Sequence, residues 1–137
     1  MKILVAYDGS EAGRRTLDWA ARLARDEADS RVSVIAVAAT LEAAPPIADA
    51  VEPSSTLEKH RGELAEATGT LAAAGVPSET MLKVGNPAEE IISAGDDGDF
   101  DLILIGRTGA HGAIRFLMGS VSDRVVRHAN RPVMVVR

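Results

Sequence analysis

The sequence predicts a doubly wound α/β domain, in which a parallel sheet is covered by helices on both faces. Two observations predict this class: short, continuously apolar runs alternate with longer segments of helical periodicity, and no internal repeat interrupts the alternation. Continuous apolar runs are typical of parallel strands that are buried on both faces. With 137 residues, of which 46% are hydrophobic, the chain has material for one hydrophobic core, so residues 1–137 are predicted to form a single domain.

The first half of the chain contains two predicted strands and two predicted helices. Residues 3–7 are apolar and stop at Asp8-Gly9-Ser10, which is typical of a turn after a buried strand. Residues 11–28 place apolar side chains opposite charged ones at helical spacing, which predicts an amphipathic helix. The elements that follow are a strand at 32–38, a proline-containing loop at 39–55 and a helix at 55–74 that ends at Gly75.

The second half continues the alternation. Asn86-Pro87-Ala88-Glu89 combines a capping residue, a proline at the first helical position and an acid, which predicts a helix start. The acidic stretch 96–101 lacks the glycine and the glutamate of a calcium loop and is a predicted solvated turn. His60 and His128 are predicted to lie on helix surfaces. The remaining predicted elements are a strand at 79–84, a helix ending near Ala94, a strand at 102–105, a helix beginning at Ser120 and a strand at 133–136.

The charge balance and the lack of cysteine exclude several classes of protein. With 15 basic and 20 acidic residues the formal net charge is −5, which disfavours non-specific binding to nucleic acid. A chain with no cysteine has no disulfide, thiolate metal site or cysteine nucleophile, and it fits a reducing compartment. The first apolar run is too short for a secretory signal or a membrane span. We therefore predict a cytoplasmic protein that binds neither nucleic acid nor membranes.

The connection between the fourth strand and the fourth helix is the most informative segment. It runs from Gly106 to Ser120, longer than most connections in compact domains, and connections of this length are usually functional or disordered. Its apolar residues argue against disorder. Glycines let a ligand approach the main chain closely, and glycines ahead of a helix start are typical of anion sites.

The charges of this connection support the same interpretation. No acidic residue occurs from Leu102 to Ser122, whereas Arg107 and Arg115 are basic and His111 can add a positive charge. A local positive field within an acidic protein suits a polyphosphate. A structural explanation stays open at this point, in which the glycines only turn the chain and the arginines are solvated.

Other nucleotide and hydrolase motifs are absent from the sequence. No two glycines are separated by one residue, so the dinucleotide fingerprint is missing, and no lysine follows a glycine as in a P-loop. No serine lies in G-x-S-x-G, and the histidines show no H-E-x-x-H pairing. These absences exclude the common hydrolase and zinc-enzyme patterns.

The spacing of the glycines resembles that of a known family. Gly106, Gly109, Gly119 and Ser120 match a pattern of Gly, two residues, Gly, nine residues, then Gly and Ser or Thr. Together with Asp8-Gly9-Ser10 after the first strand and the apolar end of the chain after Pro132, this resembles the nucleotide-binding subgroup of the universal stress proteins over the whole length.

The resemblance implies a Rossmann-like sheet of the adenine nucleotide alpha hydrolase type, with five strands in the order 3-2-1-4-5. ATP would lie across the ends of strands one and four, which is also where the winding of such a sheet reverses. AMP and ADP are alternative ligands, and Mg²⁺ or Mn²⁺ would bind through the phosphates. The resemblance also implies a homodimer that pairs through strand five, Val133 to Val136.

The family's binding residues can be carried onto matching positions. The adenine and ribose pocket would be lined by Ala6, Tyr7, Asp8 and Val37; the ribose and phosphates would meet Gly106, Arg107 and Gly109; the phosphate tail would lie on Gly119, Ser120 and Val121. Several have ordinary structural roles as well. Asp8 suits a turn or helix cap, Ser120 can cap the fourth helix in a pair with Asp123, and Val37 suits a core strand.

Binding is better supported by the sequence than catalysis. The connection offers hydrogen-bond donors but no acidic base, and only Asp8 is available for such a role. The expected function is that of an ATP-binding regulatory or signalling module of the stress response without a catalytic residue, in which hydrolysis is slow or absent. A nucleotide-free dimeric interaction module of the same fold is the main alternative. A weak ATPase or nucleotidyl transferase and a flavodoxin-like carrier are the others, and the protein partner stays unidentified.

Overall fold

The computed structural model describes residues 1–39, 53–107 and 120–137, with the main chain alone at 53–56. The strands are β1 (Lys2–Ala6), β2 (Arg31–Ala39), β3 (Ser78–Gly85), β4 (Leu102–Gly106) and β5 (Val133–Val136). The helices are α1 (Glu11–Asp26), α2 (Pro53–Ala73), α3 (Pro87–Asp97) and α4 (Ser120–His128). Strands and helices alternate in the order that the sequence predicts.

The five strands form one parallel sheet in the order β3-β2-β1-β4-β5. The predicted fold class and strand order are therefore confirmed. β1 is central, and its Val5 pairs with Val34 of β2 on one side and with Leu104 of β4 on the other. The carboxyl ends of β1 and β4 consequently lie next to each other.

Successive side chains of β1 point to opposite faces of the sheet and so contribute to both halves of the core. Val5 points to the face covered by α1 and α2, where Leu17 and Leu71 are fully buried. Leu4 points to the opposite face, where it joins a cluster that includes Ile91 of α3 and Val125 of α4. Because both faces are buried from Ile3 to Ala6, β1 needs apolar residues at these positions, which explains the apolar run after the exposed Lys2.

The predicted helix starts are confirmed by their capping bonds. The Ser10 hydroxyl accepts a hydrogen bond from the Gly13 amide at 3.0 Å, and the Asn86 side chain accepts one from the Glu89 amide at 3.2 Å. Gly75 follows α2 with a φ of +78°, a conformation that glycine adopts without strain.

The largest difference from the predicted elements is at the end of α3. The helix continues to Asp97, past the predicted end near Ala94, and Gly95 within it packs closely on β4, since a Cβ there would lie 2.6 Å from Ile103 Cδ1. The stretch 96–101 is therefore not simply a solvated turn. Asp96 accepts hydrogen bonds from the main-chain and side-chain nitrogens of Asn130, which tie the end of α3 to the chain after α4.

The other differences are small. α1 ends at Asp26, before the predicted end at Ala28. α2 begins at Pro53, so the loop predicted at 39–55 ends earlier than predicted. The rest of that predicted loop, residues 40–52, lies outside the described residues. In the part of the chain that the structure describes, no helix is long and apolar enough to cross a membrane.

Candidate functional site

The candidate site lies at the carboxyl ends of β1 and β4. The chain leaves β1 through α1 toward β2 on one side of the sheet, and it leaves β4 through α4 toward β5 on the other. This divergence opens a crevice where ligands bind in doubly wound sheets. Asp8 and Gly106 stand on either side of it, as the sequence predicts.

Asp8 holds the turn after β1 through one carboxylate oxygen and leaves the other without a partner among the described residues. Its Oδ1 accepts a hydrogen bond from the Ser10 amide at 2.9 Å, while Gly9 takes a φ of +76°. Its Oδ2 has no hydrogen-bond partner among the residues described, and the side chain is half-buried. The structural and the binding roles of Asp8 are therefore compatible, because each uses a different oxygen.

Gly106 lets the end of β4 lie directly against the first turn of α1. A Cβ on Gly106 would lie 3.0 Å from Ala12 Cβ and 3.1 Å from the Ala12 carbonyl carbon. The Gly13 amide nitrogen would be 3.2 Å away. The obstacles are mainly backbone atoms, which cannot rotate aside, so a glycine is required here by the packing of β4 on α1.

Tyr7 is placed differently from its neighbours in the predicted pocket. Its ring lies in the cluster under α1 and α2 and is 3% exposed. The hydroxyl donates to Glu66 Oε1 at 3.1 Å, and Arg14 Nε donates to the same oxygen at 2.9 Å. The Tyr7 amide donates to the Ile35 carbonyl at 2.9 Å. The ring is thus turned away from the crevice, and what Tyr7 can offer a ligand there is its carbonyl.

The hydrogen bond between Tyr7 and Glu66 leads to a testable prediction about the titration of the Tyr7 hydroxyl. Burial, and then the hydrogen bond to Glu66, raise the pKa of Tyr7 from 10.0 to about 12. Since the folded-state pKa lies above the ordinary value, the stability that Tyr7 contributes is complete below pH 10.0 and is lost as the pH rises toward about 12.

The chain has one tyrosine, so phenolate absorbance reports on it alone. We expect the phenolate to form near pH 12 in the folded protein, and Glu66→Gln to lower that midpoint; an ordinary midpoint in the folded wild type would contradict the assignment.

Ala6 and Val37 lie on the other face of the sheet. Ala6 is 8% exposed within the cluster beneath α3 and α4, and the half-buried Val37, near the end of β2, packs against the same cluster. Both therefore pack on the face of the sheet opposite the Tyr7 ring. Their apolar surface suits the flat face of a base, although both are also ordinary core residues.

Arg107 and the start of α4 are joined by a residue that the sequence analysis did not single out. The Arg107 amide donates to the Val136 carbonyl at 2.7 Å, and the Ser122 hydroxyl donates to the Arg107 carbonyl at 3.1 Å. Ser122 is 2% exposed, so it fixes the first turn of α4 to the end of β4. In the sequence, the buried position of Ser122 is indicated by its place on the apolar side of the helix start, three residues before the buried Val125.

The remaining predicted site residues divide into two groups. Ser120 is exposed as the first residue of α4 and Val121 is half-buried. The predicted capping pair of Ser120 and Asp123 is replaced by an ion pair, since Asp123 Oδ2 accepts from Arg127 Nε at 2.9 Å. Gly109 and Gly119 lie outside the described residues.

Glu63 of α2 is a second residue near the site that the sequence did not indicate. Its Oε1 lies 3.1 Å from where a Cβ on Gly9 would stand, and its side chain is 11% exposed. His60 Nδ1 lies 2.7 Å from Glu63 Oε2. His60 is partly buried, with 15% of its side chain exposed at the surface of α2, whereas His128 is exposed as predicted.

Comparisons with known proteins agree with this architecture. A model of the universal stress protein family matches residues 1–137. Universal stress protein YxiE of Bacillus subtilis is 30% identical over 146 residues, covering 99% of this chain and 98% of that protein. Universal stress protein MJ0531 of Methanocaldococcus jannaschii is 33% identical, and the match covers 99% of this chain and 81% of that protein. The universal stress protein of Archaeoglobus fulgidus, solved in complex with dAMP, superposes with a TM-score of 0.77 at 27% identity, covering 100% of this chain and 98% of that one.

Proposed function

The chain belongs to the universal stress protein family, and on that premise we propose that it binds an adenine nucleotide in the crevice between β1 and β4. ATP is the proposed ligand, with ADP and AMP as shorter alternatives. The protein would act as a cytoplasmic regulatory or signalling module of the stress response. Its nucleotide state would alter how it associates with protein partners, and hydrolysis would be slow or absent.

One observation carries the proposal. At the point where the sheet changes winding direction, Asp8 is fixed through Oδ1 to the Ser10 amide at 2.9 Å while Oδ2 has no partner among the described residues. A half-buried, oriented carboxylate oxygen is suited to accept hydrogen bonds from ribose hydroxyls. The relative from Archaeoglobus fulgidus, which binds dAMP, supports an adenine nucleotide as the ligand class.

Each site residue that the sequence predicts has a role in this proposal. Ala6 and Val37 supply apolar contact to the base, and Tyr7 supplies its main chain. Gly106 and Arg107 meet the ribose and phosphates together with Gly109. The phosphate tail lies toward Ser120 and Val121 at the start of α4, together with Gly119.

A divalent metal would be held chiefly by the phosphates in this proposal. Within residues 1–39, 53–107 and 120–137, no group of three or more acidic or histidine side chains is arranged to bind a metal ion. Asp8 offers a single carboxylate at the edge of the crevice. Phosphate oxygens and water would complete the shell of Mg²⁺ or Mn²⁺.

The proposal is tested by replacing Asp8 with asparagine. Asparagine keeps an oxygen for the Ser10 amide but replaces the free carboxylate oxygen by a donor, so the turn is preserved while the acceptor is lost. A hydrogen bond to a charged group contributes about 1.5–3 kcal/mol, so we expect affinity for AMP and ATP to fall by roughly 10- to 100-fold. Calorimetric titration measures the change.

Two comparisons make this experiment specific. Asp18→Asn changes the same charge on the exposed side of α1 and should leave affinity unaltered. If Asp8 accepts from the 2′-hydroxyl, the wild type prefers AMP to dAMP and Asp8→Asn loses that preference. A wild-type protein that binds no adenine nucleotide, and that releases none on denaturation, would favour the nucleotide-free interaction module instead.

We also propose that the protein forms a homodimer through β5. This strand is at one edge of the sheet, and Val133, Met134 and Val135 are each only partly buried. An open apolar edge is normally covered in native proteins. Light scattering should give at least twice the mass of one chain, and a monomer at all concentrations would contradict the proposal.

A further inference from the structure

The opposite edge of the sheet is formed by β3, and it is longer than edge strands usually are. β3 has eight residues and β5 has four. β3 pairs with β2 on one side, and no strand among the described residues covers its other side. An edge of this length presents a row of unpaired amide and carbonyl groups that can accept another strand.

Two grooves flank this edge, one on each face of the sheet. A groove of about 850 Å³ lies on the α2 side and includes Thr80 and Leu82 of β3. A groove of about 410 Å³ lies on the α3 side and includes Met81 and Lys83. Successive side chains of a strand point to opposite faces, so a strand added beside β3 would place alternate side chains in the two grooves.

The grooves differ in chemistry. On the α2 side the wall is formed in part by Leu64 and Ala65, which suits an apolar side chain. On the α3 side Glu90 and Asp97 line the groove, and neither carboxylate forms an ion pair with another described residue. A suitable strand therefore alternates apolar residues with residues that include a base.

β3 itself has this pattern, and its charges are self-complementary. It reads Glu79-Thr80-Met81-Leu82-Lys83, with Met81 at the centre. In an antiparallel pair centred on Met81, Glu79 stands opposite Lys83 of a second copy, and Lys83 stands opposite the second copy's Glu79. Neither residue forms an ion pair within the described chain. Opposite charges in directly facing positions stabilise antiparallel pairs.

We propose that β3 is an interface for a second copy of this chain, which pairs antiparallel about a two-fold axis at Met81. Leu82 of each copy enters the other's α2-side groove, and Lys83 of each faces the other's Glu79 across the paired strands. The interface does not depend on nucleotide binding, and it uses the edge opposite to β5.

Disulfide trapping tests the register. The chain contains no cysteine, so Met81→Cys introduces a single thiol at the proposed axis. Facing residues of an antiparallel pair have Cα atoms about 4.5–5.5 Å apart, which is within the range that a disulfide spans. We expect mild oxidation to convert most of the folded Met81→Cys protein to a covalent dimer.

Val84→Cys is the matched control. Val84 is 56% exposed, more accessible to random collision, but in the proposed register it faces Ser78 and lies roughly 20 Å from the second copy's Val84. It should form little covalent dimer. Equal trapping of both variants, or no trapping of a Met81→Cys protein that circular dichroism shows to be folded, would overturn the proposal.

Charge exchange tests the pairing of Glu79 with Lys83. In the Met81→Cys background, Glu79→Lys or Lys83→Glu alone places like charges opposite each other, and we expect trapping to slow roughly tenfold. Mixing the two variants restores opposite charges at both positions, so trapping recovers as mixed dimers. Failure to recover on mixing would refute this register whether or not the protein dimerises through β5.

Discussion

Gly106→Val should lower the free energy of unfolding by about 2–3 kcal/mol and abolish most nucleotide binding. The first added carbon alone would come within 3.1 Å of the Ala12 carbonyl carbon. Valine adds two further methyl groups, so β4 and the first turn of α1 must separate. That separation displaces the turn which orients Asp8, and misplacement of a binding group weakens affinity. Chemical denaturation and calorimetric titration measure the two effects.

Gly62→Val is the control for this prediction. Gly62 is exposed in α2, and a Cβ there would meet nothing within 4 Å. Valine and glycine differ little in helix propensity, so we expect a change within about 0.5 kcal/mol and unaltered affinity. A Gly106→Val protein as stable as Gly62→Val would contradict the close packing of β4 on α1.

Leu104→Ala should destabilise the protein by about 3–4 kcal/mol. Leu104 is fully buried at the centre of β4, where it pairs with Val5 on one side and Met134 on the other. Truncation removes apolar contacts and leaves a cavity between two strands and α1, which cannot easily close around it. The midpoint of urea unfolding should fall while the slope is unchanged.

Leu102→Ala provides the comparison for Leu104→Ala. Leu102 lies on the same strand and the same face but is only partly buried. Its loss should cost less than half as much, because water already reaches part of the side chain. If the two substitutions lowered the free energy of unfolding equally, the difference in burial between Leu104 and Leu102 would not control stability.

The fold was predictable because its strongest signals are local. The unbroken apolar run of β1 reflects burial on both faces, and Asn86 with Pro87 marks the start of α3 by its own chemistry. The end of α3 was not predictable, because the close fit of Gly95 on Ile103 is a tertiary feature that the local sequence does not show. Glycine has a low intrinsic propensity for helix, and tertiary packing overrides this propensity at Gly95.

The positions of two candidate site residues in the fold were predictable in the same way. The turn at Asp8 and the glycine at 106 were visible because turns and close approaches restrict residue type. Ser122 and Glu63 were missed because their roles depend on which residues the fold brings beside them, the Arg107 carbonyl and Gly9. The Tyr7 ring faces Glu66 because its position in the alternation after Val5 places it under α2.

The placement of β3 and β5 at opposite edges of one sheet determines what kind of assembly the protein can form. Two-fold pairing at one edge is complete with two copies, whereas pairing at both edges leaves each pair able to add further copies. Copies joined through both proposed edges would form larger assemblies whose size rises with concentration. A Glu79→Lys variant, weakened at the β3 edge, would shift its own assembly toward pairs joined through β5 and would reduce the size of wild-type assemblies when mixed with them.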